Sequence, residues 1–125
     1  GALSALLLLA GCGDEKKEEG PSVSPPKIST EINLTVDEKN SSFSKDAVSA
    51  EAGTIKITVT NPASSKGQHG VGIDGGVYKD GVGAPVKPGR ATSLTVAVKK
   101  GVKYTIFDSY KDNREKGFET KLTVK

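Results

Sequence analysis

Tyr104-Thr105-Ile106-Phe107-Asp108-Ser109-Tyr110-Lys111-Asp112-Asn113-Arg114-Glu115-Lys116-Gly117-Phe118-Glu119-Thr120-Lys121-Leu122-Thr123-Val124 is the stretch that decides the fold. Its two ends alternate. Val102, Tyr104 and Ile106 fall on one face of an extended segment, and so do Phe118, Thr120, Leu122 and Val124. Period two over such runs predicts half-buried β-strands. Between them lie ten residues, 108–117, that are polar or charged apart from Tyr110 and Gly117. The segment thus reads as strand, polar loop, strand.

The same pattern continues upstream. Ile28, Thr30, Ile32, Leu34 and Val36 alternate with polar residues, and a break follows at Asp37-Glu38-Lys39-Asn40-Ser41-Ser42. Phe43 opens a short segment through Val48 and Ala50 to a turn at Gly53, with one helical turn expected over 47–52. Ile55, Ile57 and Val59 mark a strand that stops at Asn61-Pro62, Val71 and Ile73 a short one, and Leu94, Val96 and Val98 another. Gly75-Gly76, Gly81, Gly83 and Pro85 are expected to form a long irregular connection, and Pro88-Gly89 a turn. The glycines of 67–83 lead into no helix and lack a Gly-Lys-Ser/Thr ending, so they are no phosphate loop; positive-φ turns are their expected use. Seven or eight short strands separated by turn signals predict an all-β, Greek-key sandwich, with antiparallel sheets wet on one face.

Composition agrees. The 125 residues include 15 Gly, no Met, no Trp and only 5 % aromatics. The net charge of +3 is spread over interleaved acids and bases. A nucleic-acid surface would need a one-signed stripe with aromatics, so no nucleic-acid partner is expected. Lys99, Lys100 and Lys103 cluster and offer attraction to anionic lipid headgroups. Tyr78 and Tyr110 are the only loop aromatics to nominate as partner contacts, and the protein or small-molecule partner is not identified by the sequence.

Residues 1–12 end in Leu3-Ser4-Ala5-Leu6-Leu7-Leu8-Leu9-Ala10-Gly11-Cys12. The apolar run is too short to span a bilayer and fits a signal-peptide core. Leu9-Ala10-Gly11-Cys12 resembles the bacterial lipobox. The resemblance implies that Cys12, the sole cysteine, becomes the lipidated first residue of an extracytoplasmic, membrane-anchored protein. Residues 13–27, charged and then rich in Ser and Pro, read as a disordered tether reaching on the order of 20 Å. Residues 28–125 form the single folded domain, with no disulfide available.

Signals for chemistry are sparse. His69 is the only histidine, and no Gly-x-Ser-x-Gly elbow accompanies it, so an enzyme is not expected. A zinc site needs three or four ligands, which the counts do not favour.

The segment 104–124 resembles the closing hairpin of cupredoxins. In that family a strand beginning Tyr-x-Phe runs into a copper-ligating Cys. A ligating His follows, then Gly-Met with the Met as axial ligand, and a last strand of the type Leu-x-Val. The frame fits without a gap and places Asp108 at the Cys position, Asn113 at the second His position and Phe118 at the Met position. Upstream, Asn61 and His69 correspond to the family's Asn-ended strand and first copper His. The match covers roughly residues 43–124.

Blue-copper sites take two imidazoles, a thiolate and a weak axial ligand, and one of those four survives. The resemblance therefore implies a degenerate copper site: no metal, no cofactor, and a non-redox binding or accessory module. Two alternatives stay open. One is a carrier of copper or another divalent ion, or an electron-transfer partner, with an altered site around His69 and Asp108. The other is an immunoglobulin-like structural or adhesive domain. Asp108 cannot lie buried and unpaired; its candidate partners are His69 and Arg114, and the alignment requires His69 within a few ångströms. His69 itself has three open roles: idle loop residue, hydrogen-bond partner of Asp108, or metal ligand.

Overall fold

In the computed structural model, residues 27–125 are described; the lipobox, with Cys12, and the tether up to residue 26 lie outside them. The chain forms β1 (Ile28–Asp37), β2 (Ser42–Phe43), β3 (Ala47–Ala50), β4 (Gly53–Asn61), β5 (Gly72–Gly75), β6 (Tyr78–Val82), β7 (Arg90–Val98), β8 (Lys103–Phe107), a single-turn helix α1 (Asn113–Lys116) and β9 (Glu119–Val124). Two sheets stack, one in the order β3-β9-β8-β5-β6 and the other β2-β1-β4-β7. The all-β Greek-key sandwich predicted from alternation is the observed fold.

Alternation becomes burial. Ile32, Leu34 and Val36 of β1 and Ile55, Ile57 and Val59 of β4 face inward, and Ile73, Ile106, Leu122 and Val124 meet them from the other sheet. Their polar neighbours Glu31, Asn33, Thr35, Lys121 and Thr123 point to water. Each fully buried aliphatic side chain contributes roughly 1.5–3 kcal/mol, so the in-out pattern fixes the register. A one-residue slip would turn every one of these side chains outward.

Three local expectations are corrected. Both sheets are mixed: β1 pairs parallel with β4, and β3 with β9. The chain leaves the sheet of β1 after β2, descends as β3 in the other sheet and returns as β4, so β1 and β4 run the same way. Residues 47–50 are therefore strand β3 instead of a helical turn, held by the backbone of β9. And the Gly-rich connection contains strand β6, which antiparallel pairing adds to β5. As an edge strand it has one neighbour only, and its Tyr-Lys-Asp-Gly-Val sequence carries no alternation to read. Of the glycines in 67–83, Gly75 and Gly76 have positive φ and make the β5–β6 turn.

Gly117 ends α1 with φ 122°, and a Cβ built there would stand 2.6 Å from the carbonyl oxygen of Ser41. That contact is with backbone and cannot swing away. Gly117→Ala should destabilise the domain by roughly 1–3 kcal/mol. The check is the urea midpoint, which should fall with the slope of the transition unchanged; an unshifted midpoint would show that the 108–118 loop and the Ser41 turn move apart freely.

Candidate functional site

One end of the sandwich collects all four positions singled out by the sequence. β8 ends at Phe107, and the next residue is Asp108. Its N–H still donates to the Phe118 carbonyl at 3.0 Å, so the β8–β9 ladder extends one step past the strand. The loop then turns through Lys111, at φ 50°, into α1, whose first residue is Asn113. The N–H of Phe118 closes the loop on the Asn113 carbonyl at 3.4 Å.

His69 arrives from another direction, on the connection between β4 and β5. Its backbone forms a two-way bridge with Val86, 3.1 and 2.8 Å. Asn61, fully buried at the end of β4, donates through Nδ2 to the carbonyls of Gly67 and Val86, 3.0 Å each. Thus Asn61 ties the loop that carries His69 to the loop that carries its bridge partner Val86.

The side chains converge. His69 Nδ1 lies 2.5 Å from Asp108 Oδ2, as the alignment required. Asp108 is 1 % exposed, yet both its oxygens are satisfied. Oδ1 accepts the N–H of Gly70 at 2.8 Å and of Tyr110 at 3.0 Å. Oδ2 accepts Asn113 Nδ2 at 3.0 Å besides facing the imidazole. Asn113 Nδ2 also donates to the Gln68 carbonyl at 3.3 Å. The Phe118 ring packs on His69, centroids 5.0 Å apart and tilted 59°, and meets Phe43 edge-on at 6.1 Å. At 3 % exposure His69 is no idle loop residue.

Arg114, the other candidate for Asp108, is engaged elsewhere: it donates to Glu119 at 2.7 Å and to Asp74 at 3.2 Å, and its guanidinium lies over the Phe107 ring. The geometric reason is its place on α1, one residue beyond the buried Asn113.

Sequence reasoning missed Glu38. It stands in the turn after β1, ahead of the segment the family frame covers, and reads there as one more turn charge. In the fold its Oε2 lies 2.8 Å from His69 Nε2, and the carboxylate also accepts the backbone N–H of Lys66 at 2.7 Å and Gly67 at 3.0 Å. The hydrogen bond from His69, aided by these two, lowers the Glu38 carboxyl to about 2. Glu38 keeps 29 % of its side chain exposed and opens onto a surface cleft of about 780 Å³ lined in part by Lys39, Ser44, Ser65 and Lys66.

Glu38, held well below the usual carboxylate range, only accepts, so the Nε2–H of His69 donates to it. Nδ1 faces Asp108 Oδ2. Both ring nitrogens are thus engaged by carboxylates. Asp108 supplies a hard carboxylate in place of a thiolate, Asn113 turns its amide nitrogen inward, and Phe118 has no donor. This donor set does not fit the two imidazoles, thiolate and weak axial ligand of a type 1 copper ion. Among the described residues no group of three or more His, Cys, Asp or Glu side chains is placed to hold a metal.

No family model matches the chain, and no curated sequence does. Solved structures do. Auracyanin B superposes with a TM-score of 0.70 at 14 % identity, over 85 % of this chain and 96 % of its own. Auracyanin A, a "blue" copper protein from Chloroflexus aurantiacus, gives 0.60 at 15 %, over 76 % and 98 %. An azurin from Methylomonas sp. strain J gives 0.58 at 14 %, over 78 % and 99 %. The parallel β1–β4 pair also departs from the wholly antiparallel sheets of an immunoglobulin domain, so that alternative is set aside. The chain has the cupredoxin fold, with His69, Asp108, Asn113 and Phe118 gathered at one pole.

Proposed function

We propose that this protein is a lipid-anchored, extracytoplasmic cupredoxin-like module that carries no type 1 copper, transfers no electrons and catalyses no reaction, serving as a binding or accessory domain. The observation that supports this most is the commitment of both His69 nitrogens to carboxylates, Nδ1 to Asp108 and Nε2 to Glu38. In a copper centre the imidazole gives a lone pair to the ion. Here both nitrogens are taken up by carboxylate partners, and the short Nδ1–Oδ2 hydrogen bond does the bridging a metal would do. Phe118 then fills the axial space with a ring packed on the imidazole. Asp108 and His69 find their partners within the pole, which suits a platform whose outer loops meet a partner. Anchoring is supported by Leu9-Ala10-Gly11-Cys12 and by the tether composition that follows it.

Copper(II) added to the protein should give no intense visible band; such a band would overturn the redox-silent reading. The triple variant Asp108→Cys, Asn113→His, Phe118→Met should acquire one, because it restores thiolate, imidazole and thioether around His69. A folded triple variant that stays colourless with copper would show that these corners are not ligand positions.

The Glu38 carboxyl is depressed from 4.5 to about 2 in the fold. Its contribution is therefore complete above pH 4.5 and lost as pH falls toward 2, where the folded form protonates. Glu38→Gln should remove that part of the acid dependence, so the stability gap between wild type and variant narrows between those pH values in denaturant titrations. Parallel acid curves would exclude Glu38 as the titrating partner.

In cells, labelled fatty acid should enter the protein and be lost on Cys12→Ser. An unlabelled wild-type protein would refute the anchor and leave the fold reading intact.

A further inference from the structure

The two ends of the sandwich differ in charge. At the end opposite His69 the chain enters β1, the 51–53 segment crosses between sheets, and the turn 99–102 meets the end of β9. Hydrogen bonds tie these pieces together: Ser29 Oγ donates to the Glu51 and Thr54 carbonyls, Gly101 N–H to Val124 and Ala52 N–H to Lys125. Lys27, Lys99, Lys100, Lys103 and Lys125 all lie at this end and all are exposed. None of the five makes an ion pair among the described residues. Glu51 is the one exposed acid in these connecting segments. At the His69 pole, by contrast, charges alternate and pair: Arg114 with Asp74 and Glu119, Lys116 with Asp112.

The lysine end also carries an apolar tip. Val77, in the β5–β6 turn, is 83 % exposed. A Cβ on its neighbour Gly76 would stand 3.2 Å from Val102 Cγ1, so this turn sits against the lysine-bearing turn 99–102. Exposed cations and an exposed apolar side chain at the same end are the composition of an interfacial contact, where electrostatic attraction to anionic lipid adds to shallow apolar insertion.

We propose that this end is a membrane-facing surface: its lysines engage the headgroups of an anionic phospholipid bilayer and Val77 enters the interface. The inference rests on the anchored reading for its setting. Cys12 precedes Lys27 by 15 positions, a span of at most about 50 Å fully extended, and the chain enters the domain at the lysine end. Docked this way, the length of β1 holds the His69 pole about 30 Å above the lipid, facing away. The acidic residues of the tether are a rival occupant. Lys16 and Lys17 offset half of Asp14, Glu15, Glu18 and Glu19, and the tether offers nothing apolar that a bilayer does not offer Val77 more fully, so the bilayer is favoured.

The test uses the whole chain as Cys12→Ser, so that no acyl group contributes, in flotation with vesicles of phosphatidylcholine alone or mixed with phosphatidylglycerol. Binding to the mixed vesicles only is expected, weakening as salt shortens the Debye length to about 8 Å at physiological strength. Lys99→Glu/Lys100→Glu/Lys103→Glu should weaken it about tenfold or more, with an unchanged melting temperature confirming the fold. Val77→Asn should weaken it severalfold at every salt concentration. Lys39→Glu/Lys87→Glu/Lys111→Glu, at the other end, should leave it within about twofold. The proposal is overturned by no binding, by equal binding to neutral vesicles, or by equal loss from either triple variant. It is also overturned if binding emerges only after Glu18→Gln/Glu19→Gln, which would assign the lysines to the tether. Because the acyl group is absent from this assay, failure here is distinct from failure of acylation at Cys12.

Discussion

His69 is held between two carboxylates, and the architecture of the pole depends on that arrangement. A buried carboxylate left alone would cost several kcal/mol. Asp108 avoids the penalty through two backbone N–H groups, one amide and one imidazole. Each hydrogen bond to a charged group contributes about 1.5–3 kcal/mol, enough together to offset the desolvation. Three chain segments are thereby fastened at one point: the β4–β5 connection, the β8–β9 loop and the turn after β1. A metal ion fastens segments in the same way, through bonds converging from separate loops. In this chain hydrogen bonds fill that mechanical role.

The apolar side of the pole completes the substitution. Phe118 meets both Phe43 and His69, so the imidazole has a ring against one face and polar partners only at its nitrogens. Aromatic pairs in tilted geometry add about 0.5–1.5 kcal/mol beyond their buried area. The ring also keeps water from the Nδ1–Oδ2 contact, which strengthens it. Charge and packing thus support each other at the same few residues.

Chain routing explains why the two ends differ. Passing between sheets after β2 and again before β4 makes each sheet mixed, and it sends the connections 51–53 and 99–102 to the end where the chain enters. The pole receives the long connections with the polar side chains that satisfy it. The entry end receives short turns, which bury little and leave their lysines in water.

Alternation alone determined most of the fold. Ile32-x-Leu34-x-Val36, Ile55-x-Ile57-x-Val59 and Thr120-x-Leu122-x-Val124 each announce a strand with one buried face, because a pleated strand sends successive side chains to opposite sides. The frame 104–124 also placed Asp108, Asn113 and Phe118 near His69, since spacing along a hairpin is conserved by its ladder. What it could not place was β6, whose pairing needs only backbone and a free edge, or the parallel sense of β1 with β4, which depends on where the chain crosses between sheets. Glu38 was equally hidden. Its contact with His69 spans 31 positions of sequence and joins a turn to a loop, and no periodicity links such segments. Local pattern is set by neighbours in the chain; partnership across the pole exists only once the two sheets have stacked.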